Sequence, residues 1–489
     1  VLYVSPLKVL AADVQRNLRE PLEGIAAAAR KLGAPAPEIT VGMRTGDTPS
    51  SERARFTRSP SDILVTTPES LYLLLTSNAR ESLRGIRTVI VDEVHAVAGN
   101  KRGAHLALSL ERLDDLLPKP AQRIGLSATV RPVDEVATFL SGGRPVEVVQ
   151  PPTPKTVQVT VEVPVEHMTQ LPVPEEDRAS QPMGSELGCQ EETVGAPVRR
   201  PSIWPSVERR IYELVTAHRS TIVFTNSRRL AERLTTRLNE LHAGEPTLST
   251  FPAQSPGQSG VSAVPPPVIA KAHHGSMSRE QRLLAEEELK AGTLPCVVAT
   301  SSLELGIDMG AVDLGIQVEP PPTVASGLQR IGRAGHHVGA VSTGVMFPKQ
   351  RGELPGCAVV AERMAAGRIE SLRCPRNPLD VLAQQIVAMV AAEQDRPLTV
   401  SHVAEVVRRA APYRELPDDA LHAVLDMLSG RYPSTDFAEL RPRITWDRAT
   451  GELRARPGAR RLAVTSGGTI PDRGLYTVVA AAGEGERRT

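Results

Sequence analysis

A short apolar run followed by two adjacent carboxylates constrains the fold of this chain more than any other stretch. The run is Val89-Ile90-Val91, and Asp92-Glu93-Val94-His95 follows it directly. Three consecutive β-branched residues are typical of a strand buried on both faces, as in parallel sheets. Ligands of open α/β sheets bind outside the carboxyl ends of the strands. The sequence therefore predicts that Asp92 and Glu93 lie at a binding edge.

These two carboxylates suit nucleotide chemistry, although an acidic turn after a strand is also common where no ligand binds. An Asp at that edge can hold a hydrated Mg²⁺ that bridges nucleotide phosphates. A Glu beside it can orient or deprotonate an attacking water. His95 fits a hydrogen-bonded loop histidine better than a reacting group. Taken alone the stretch is weak evidence, so its meaning depends on the surrounding pattern.

Strand and helix patterns alternate on both sides of this stretch. The first part of the chain has predicted strands at Leu2–Ser5, Ile39–Gly42, Ile63–Thr66 and Arg123–Leu126, and predicted helices from Pro6 to about Ala29 and at Ala104–Leu117. A second alternating part begins at Trp204, with predicted strands at Thr221–Phe224, Cys296–Ala299 and Asp313–Val318. Alternating βα units form parallel sheets covered by helices on both faces. We therefore expect two α/β lobes in tandem.

The pattern changes after Phe347, where helical periodicity replaces alternation. The predicted helices are Leu379–Val390, Val400–Ala410 and Asp418–Leu428, and the last two have the spacing of a helix-turn-helix. From Phe437 onward the pattern predicts β structure. Two stretches rich in Pro, Ser and other polar residues, Met168–Arg200 and Ala243–Pro267, are predicted to be disordered because they have little apolar surface to bury.

Composition limits the possible partners. A net charge of +1 gives no global basic field, so any nucleic-acid contact must come from local clefts. With 3% aromatic residues, an extended base-stacking platform is not expected. The four scattered cysteines (Cys189, Cys296, Cys357 and Cys374) lack metal-ligand spacing and fit a reduced, cytoplasmic protein. The sequence predicts neither a membrane span nor a signal peptide.

Four stretches carry a family resemblance. They are Thr67-Pro68-Glu69-Ser70, Asp92-Glu93-Val94-His95, Ser127-Ala128-Thr129 and Gln329-Arg330-Ile331-Gly332-Arg333, in the order and approximate spacing of superfamily 2 helicase motifs. The Lhr (large helicase-related) family in particular is resembled by three stretches. They are the sequence of the second motif, the run Ser220–Leu234 and the stretch Ala463–Gly474. Any single motif is a weak signal, but several in order on two alternating lobes are a strong one.

This resemblance implies an α/β fold with two tandem RecA-like parallel-sheet lobes that close on ATP at their interface. It implies a DNA-dependent ATPase that moves 3′ to 5′ on single-stranded DNA and unwinds duplexes or RNA–DNA hybrids, in DNA repair. No membrane or obligate protein partner is implied. The expected domains are lobe 1 (1–150), a strand and disordered linker (151–203), lobe 2 (204–370), a helical winged-helix domain (371–436) and the start of a β-rich C-terminal domain (437–489).

The resemblance also implies roles in binding ATP and Mg²⁺. Asp92 and Glu93 would hold the metal, and Glu93 would orient the water. Arg333 would be the arginine finger for the γ-phosphate, with Arg330 in support, because a planar guanidinium stabilises the charge that develops in phosphoryl transfer. The remaining expected nucleotide-side residues are His95, Ser127, Thr129, Gly306, Asp308 and Gln329. Related helicases often carry a further Arg where this chain has His336.

Nucleic acid would lie across the carboxyl edges of both lobes. The expected contacts are Pro6, Lys8, Arg44, Thr67, Pro68, Glu69, Ser70, Thr225, Asn226, Arg228, Thr300, Ser301 and Ser302. Backbone amides, hydroxyls and a few cations of this kind contact phosphates without reading sequence. Ordinary loop and helix-capping chemistry is the alternative for some of these residues.

One departure from the family pattern is the phosphate-binding loop. The chain contains no Gly-x-x-x-x-Gly-Lys-Ser/Thr and no Gly-Lys pair. We expect that loop to precede Val1, the chain to be a fragment cut at both ends, and the fragment to be hydrolytically inactive. A non-catalytic nucleic-acid-binding scaffold derived from a helicase remains an alternative. A nuclease-associated motor is disfavoured because no paired carboxylates with a nearby Lys stand out.

Overall fold

The structure, a computed structural model, divides into two compact units. Unit 1 combines Val1–Val149 with Ser371–Thr489, and unit 2 is Gln150–Glu370. The described residues are 1–150, 156–168, 202–244, 268–306, 309–335, 341–393, 396–432 and 441–470. The two stretches predicted to be disordered lie almost wholly outside these ranges, as do Asp308, His336 and the end of the stretch Ala463–Gly474.

Unit 1 contains a five-stranded parallel sheet in the order β2-β3-β1-β4-β5. The strands are Leu2–Val4 (β1), Val41–Arg44 (β2), Ile63–Thr66 (β3), Thr88–Val91 (β4) and Gln122–Gly125 (β5). β1 lies between β3 and β4, with Leu2 opposite both Leu64 and Val89. Because both neighbours of β4 are strands and helices cover its faces, Val89 and Val91 are buried. The predicted parallel sheet is confirmed.

The helices of this sheet follow from local sequence signals. They are Lys8–Lys31 (α1), Ser50–Arg58 (α2), Pro68–Thr76 (α3), Val94–Ala98 (α4), Lys101–Leu116 (α5) and Val133–Ser141 (α6). Pro68 begins α3, a position where its missing N–H costs nothing. Asn100 caps α5 by accepting a hydrogen bond from the Gly103 N–H at 3.3 Å. α5 is buried along most of its length, and its buried residues include polar and charged side chains as well as leucines and alanines.

Unit 2 contains a six-stranded parallel sheet in the order β6-β11-β10-β7-β9-β8. The strands are Val157–Val161 (β6), Thr221–Phe224 (β7), Ala270–His273 (β8), Cys296–Ala299 (β9), Leu314–Val318 (β10) and Ser342–Phe347 (β11). The helices are Trp204–Ala217 (α7), Arg228–Ala243 (α8), Arg279–Ala291 (α9), Val324–Ile331 (α10) and Leu354–Ala365 (α11). Val223, Val298 and Ile316 form the centre of its core, which confirms the second α/β lobe.

The C-terminal part of unit 1 is a winged-helix arrangement of three helices and a small antiparallel sheet. The helices are Leu379–Ala392 (α12), Val400–Arg409 (α13) and Asp418–Ser429 (α14), and the strands are Leu398–Thr399 (β12), Ile444–Trp446 (β13) and Glu452–Ala455 (β14). β14 pairs with both β12 and β13. Leu382 and Val406 belong to the same hydrophobic core as Leu106 of α5. One core therefore serves the first sheet and the winged-helix part.

One expectation about this region is wrong. The β pattern predicted from Phe437 onward is interrupted by a helix at Ala459–Thr465 (α15). Gly458 has a φ of +87° and turns the chain before the helix. Ala459 and Ala463, four residues apart, are buried on one side, and α15 packs on α12. The small residues Ala459 and Ala463 have helical spacing, and a helix forms here although the alternating pattern predicts β structure. No described helix is long and apolar enough to cross a membrane.

Candidate functional site

The carboxylates of unit 1 lie at the carboxyl edge of its sheet, as predicted. The N–H of Asp92 donates to the carbonyl oxygen of Val4 at 2.9 Å, which continues the pairing of β4 with β1. The N–H of Glu93 donates to Asp92 Oδ1 at 2.9 Å. Glu93 has a φ of +46°, in the left-handed region that non-glycine residues rarely adopt. Such backbone strain is concentrated at functional sites, where surrounding contacts maintain it.

Burial raises the pKa of Asp92, the negative charge of Glu93 raises it further, and a hydrogen bond from the Tyr3 hydroxyl lowers it. A bound cation would relieve both unfavourable contributions, since it supplies a positive charge where water is excluded. Among the described residues no group of three or more His, Cys, Asp or Glu could hold a metal. Two adjacent carboxylates are the kind of donor set that Mg²⁺ commonly uses together with water and phosphate oxygens.

Tyr3 is a residue that the sequence analysis missed. It lies on β1 opposite Ile90 of β4, and its pKa is raised by burial, then by the charge of Asp92. The sequence could have indicated Tyr3, because it is a polar aromatic residue between the buried Leu2 and Val4. The alternation of a strand places its side chain on the opposite face from theirs.

His95 joins the carboxylates to the loop after β5. Its Nδ1 accepts a hydrogen bond from the Ala128 N–H at 3.2 Å and lies 3.3 Å from the Ser127 Oγ and 3.5 Å from Glu93 Oε2. Because Nδ1 accepts from a backbone amide, the ring hydrogen lies on Nε2. Ser127 and Thr129 are exposed. The predicted link between the two motifs is present, with His95 as a connecting residue.

The segment Thr67–Ser70 is held more firmly than the sequence suggested. Thr67, Pro68 and Ser70 are buried, and the Thr67 Oγ1 donates to the Ser70 Oγ at 3.1 Å. Both Glu69 carboxylate oxygens contact Arg102, one of them at 2.9 Å from its Nη2. Burial raises the pKa of Glu69, but the hydrogen bond and charge of Arg102 outweigh it and the pKa is lowered. Backbone groups at the start of α3 are thus better placed for phosphate than these side chains.

The other expected contacts of unit 1 differ in exposure. Pro6 is buried, whereas Lys8 is exposed and its Nζ lies 2.6 Å from Asp47 Oδ1. Arg44 is half-buried, and burial followed by the nearby charge of Arg53 lowers its pKa. Lys8 is therefore the cation of this group that solvent reaches most easily.

Arg330 is the centre of a polar network in unit 2. It is 2% exposed, with Nε 3.0 Å from Glu304 Oε2. Its Nη1 donates to Asn226 Oδ1 at 2.9 Å and to Gln317 Oε1 at 3.1 Å, and its guanidinium lies over the Phe224 ring. Arg330 thus ties together the loops after β7 and β9 and the strand β10.

Arg333 lies one turn further along, half-buried, and its Nη2 donates to the Glu304 carbonyl oxygen at 3.1 Å. A Cβ at Gly332 would lie 2.5 Å from the Leu328 carbonyl oxygen, so only glycine fits between the two arginines. Gln329 is half-buried beside them, and Gly306 is exposed on the loop after β9. Arg333 is the better candidate for a charge that contacts phosphate, since Arg330 is enclosed by protein.

The two loops of unit 2 predicted to contact nucleic acid lie at the carboxyl ends of neighbouring strands. Thr225 is buried and donates to the Ser227 carbonyl oxygen at 3.1 Å, while the Asn226 Nδ2 donates to the Pro320 carbonyl oxygen at 2.9 Å. Arg228 Nη1 donates to the Ser276 Oγ at 2.6 Å on the surface. In the other loop Ser301 is exposed, and Thr300 and Ser302 are half-buried.

Sequence reasoning missed two members of the Arg330 network. Gln317 was detectable, because it is a polar residue in the otherwise apolar strand Leu314–Val318 and is fully buried. Glu304 gave no local signal, since a glutamate after a hydroxyl-rich turn is ordinary. Its importance comes from Arg330, which is 26 residues away in the sequence.

Three family models match the chain. They describe a DEAD/DEAH box helicase (residues 1–136), a helicase conserved C-terminal domain (residues 263–337) and the winged helix domain of large helicase-related proteins (residues 362–487). The three matches follow the two parallel sheets and the winged-helix part in order.

Individual relatives agree with these models. The Lhr helicase/probable uracil glycosylase of Mycolicibacterium smegmatis is 58% identical over 98% of this chain and 31% of its own length. The ATP-dependent helicase Lhr-Core protein 2 of Thermococcus barophilus is 38% identical over 96% of this chain and 50% of its own length. The structure of Mycobacterium smegmatis helicase Lhr bound to ssDNA and AMP-PNP matches with a TM-score of 0.82 and 58% identity, over 97% of this chain and 55% of that one. The chain thus spans 31% to 50% of the length of these curated relatives.

Proposed function

The chain belongs to the large helicase-related (Lhr) family, and we propose that it forms the motor of an ATP-dependent nucleic-acid helicase. The observation that carries the proposal is the pair of polar sheet edges. One edge carries adjacent carboxylates, Asp92 and Glu93, and the other carries Arg330 and Arg333 on a glycine-bracketed turn. These are the groups that phosphoryl transfer requires for metal, water and transition-state charge.

Each of these charged residues has a separate role in ATP hydrolysis. Asp92 binds Mg²⁺, and Glu93 orients the attacking water while His95 connects both to Ser127 and Ala128. Arg333 stabilises the charge of the transferred phosphoryl group. Arg330 holds the loops of Asn226 and Glu304 in register with that arginine. The metal supplies charge neutralisation at the phosphates when it is bound.

Nucleic acid is proposed to bind through backbone amides, hydroxyls and single cations at both edges. The accessible candidates are Lys8, Arg228 and Ser301, with the backbone at the start of α3. Such contacts are independent of sequence, which agrees with a net charge near zero and with movement along a strand. The Mycobacterium smegmatis structure holds ssDNA and AMP-PNP, and we extend both ligand classes to this chain.

We further propose that the protein moves 3′ to 5′ along the strand and unwinds duplexes or RNA–DNA hybrids. Its proposed role is in DNA repair, and its proposed location is cytoplasmic. We also propose the division at residues 150, 203, 370 and 436, with the winged-helix part lining the path of the strand. Because the 489 residues contain no Gly-x-x-x-x-Gly-Lys-Ser/Thr, we propose that they hydrolyse ATP only together with a segment that supplies this loop.

The test measures ssDNA binding, DNA-stimulated phosphate release and strand separation. It uses residues 1–489 and the same chain joined to a phosphate-binding segment from its own gene. We expect ssDNA binding in both, and hydrolysis with unwinding only in the longer protein. Hydrolysis by residues 1–489 alone would refute the dependence on the added segment. A longer protein that binds ssDNA but never hydrolyses ATP would instead favour the non-catalytic scaffold.

A further inference from the structure

A buried chain of three polar side chains runs beneath the loop Thr300–Ser302 in unit 2. The Nε2 of His273 lies 2.9 Å from Glu286 Oε1, and its Nδ1 lies 2.8 Å from the Ser302 Oγ. His273 is 1% exposed and Glu286 is 7% exposed. His273 ends β8 and Glu286 lies on α9, so two separate elements converge on one loop hydroxyl.

The hydrogen-bond directions show what this chain does to Ser302. The Ser302 Oγ donates its hydrogen to the His273 carbonyl oxygen at 2.8 Å. Its lone pairs therefore face Nδ1, which is placed to donate to the Ser302 Oγ, while Nε2 lies beside the Glu286 carboxylate. The Thr300 N–H also donates to the His273 carbonyl oxygen, at 3.2 Å. The loop is thus fastened to His273 at two points, and the Ser302 hydroxyl has one defined orientation.

The residue types Ser, His and Glu are also those of a hydrolytic triad, but the geometry contradicts that function. In a triad the serine hydrogen is directed at the histidine, which removes it as a base. Here the Ser302 hydrogen is directed at a carbonyl oxygen. His273 cannot act as a base towards a hydroxyl to which it already donates.

Stability alone does not explain a buried pair of this kind. Taking an ionisable histidine and a glutamate out of water is costly, and apolar residues of similar volume often serve a core equally well. The neighbouring His274 offers a comparison within the same turn. Its Nε2 lies 2.6 Å from Glu232 Oε1, its Nδ1 accepts from the Ser276 N–H at 3.3 Å, and Glu232 is exposed. The structure gives His274 no hydrogen bond to Thr300–Ser302, whereas His273 has three.

We propose that His273 is a positioning residue that, fixed by Glu286, holds the Thr300–Ser302 loop through the Ser302 hydroxyl, so that the exposed Ser301 is oriented for contact with a nucleic-acid phosphate. This inference rests on the proposed function, and it adds two residues that lie beneath the binding surface. Because Glu304 of the same loop contacts Arg330 at 3.0 Å, the loop is held on one side by His273 and on the other by the arginine network.

The first experiment needs no nucleic acid. Amide hydrogen exchange is measured by mass spectrometry on peptides that cover 300–306 in the wild type and in His273→Gln, His273→Asn and His274→Gln. Glutamine can still reach Glu286 but lacks the Nδ1 donor, whereas asparagine places an N–H near the Nδ1 position. We expect faster exchange in His273→Gln by about tenfold, partial restoration in His273→Asn, and wild-type exchange in His274→Gln. Equal exchange in all four proteins would overturn the proposal.

The second experiment measures the Kd of a labelled single-stranded oligonucleotide by fluorescence anisotropy. Ser302→Ala and His273→Gln are each expected to weaken binding by about three- to tenfold, because each removes the hydrogen bond that holds the loop in its binding orientation. The double variant should be no weaker than either single variant, because both remove the same contact. His274→Gln should bind like the wild type.

The outcomes separate this inference from the proposed function. If the wild type binds and the two substitutions act additively, or if His274→Gln weakens binding as much as His273→Gln, His273 has no positioning role. If the wild type fails to bind any single-stranded oligonucleotide, the proposed function is wrong and the assignment of Ser302 falls with it. The exchange data would then still report whether His273 holds the loop.

Discussion

The carboxyl edges of the two parallel sheets differ in how the protein surrounds their charged side chains. In unit 1 the Asp92 carboxylate accepts hydrogen bonds from the Glu93 N–H and from Tyr3, and the Glu93 carboxylate lies 3.5 Å from His95. Arg330 of unit 2 is enclosed, with acceptors from the loops after β7 and β9 and from β10. A guanidinium that leaves water must find acceptors in the protein. Carboxylates that bind a metal must instead keep oxygen lone pairs for it.

This difference predicts different consequences of substitution. In unit 1 a change at the edge should remove chemistry and leave the fold intact, because few protein groups depend on either side chain. In unit 2 a change at Arg330 should first damage the fold of the edge, since three acceptors would lose their donor.

Glu93→Gln should abolish turnover without affecting folding. In a protein that carries the phosphate-binding segment, we expect ATP and ssDNA binding to persist and the rate of phosphate release to fall by about 10²–10⁴-fold, because a water-orienting base is lost. The exposed Glu23→Gln is the matched control. Near-normal steady-state phosphate release by Glu93→Gln would show that Glu93 is not the base, and a large loss of thermal stability would contradict the contrast itself.

Arg330→Gln should act mainly on stability. It leaves Glu304 partly buried without its cation, and such losses cost about 3–5 kcal/mol. Arg333→Gln, at a half-buried position, should lower the free energy of unfolding by about 1 kcal/mol or less while reducing ATP turnover. Denaturant unfolding of both variants is the measurement. Equal loss of stability would mean that the two arginines are not divided between structure and chemistry.

The local part of this picture was predictable from the sequence. The strands Ile63–Thr66, Thr221–Phe224 and Cys296–Ala299 agree residue for residue with the structure, because each is a short apolar run bounded by polar residues. The strand predicted at Ile39–Gly42 lies two residues later, at Val41–Arg44. It is an edge strand whose residues are all half-buried, so its periodicity is weak.

Long-range contacts could not be predicted from spacing. Arg330 was placed in the site by its motif, but its burial depends on Asn226, which lies 104 residues earlier. In the same way, Glu69 is predicted to contact nucleic acid from its motif, but the motif does not indicate its pairing with Arg102, 33 residues away. Motifs report which residues occur together, whereas the partner that satisfies a buried charge depends on the tertiary fold.

Unit 1 also buries an ionisable side chain, His105, but this residue lies in the interior and not at the carboxyl edge of the sheet. His105 is 1% exposed, stacks on Tyr72 at 4.7 Å, and has a pKa lowered to about 4, first by burial. The native state therefore binds the proton less tightly than the unfolded chain. The resulting stability is complete above the unfolded pKa near 6.5 and is lost as the pH falls from there towards 4.

His105→Phe should flatten this pH dependence. Between pH 6.5 and pH 4 the free energy of unfolding of unit 1 should fall in both proteins. We expect the fall to be about 2–3 kcal/mol smaller in His105→Phe than in the wild type, because the titrating group is gone. Unfolding by urea at several pH values measures it, and replacement of His422, an exposed histidine of unit 1, is the control that should leave the slope unaltered. An unaltered slope in His105→Phe would place the acid sensitivity of unit 1 elsewhere.

The smallest expected effect concerns Lys8, the exposed cation of the unit 1 edge. Its ion pair with Asp47 is open to solvent, so Lys8→Ala should change the free energy of unfolding by less than about 0.5 kcal/mol. If Lys8 contacts a phosphate, its loss should reduce the slope of log Kd against log salt for ssDNA by about 0.7, the value for one neutralised phosphate on a single strand. Lys31→Ala, at the other end of α1, should leave that slope unchanged. A slope that is the same in both variants would remove Lys8 from the nucleic-acid surface. The contacts of unit 1 with nucleic acid would then come from its backbone alone, in contrast to unit 2, where Arg228 offers a side-chain cation.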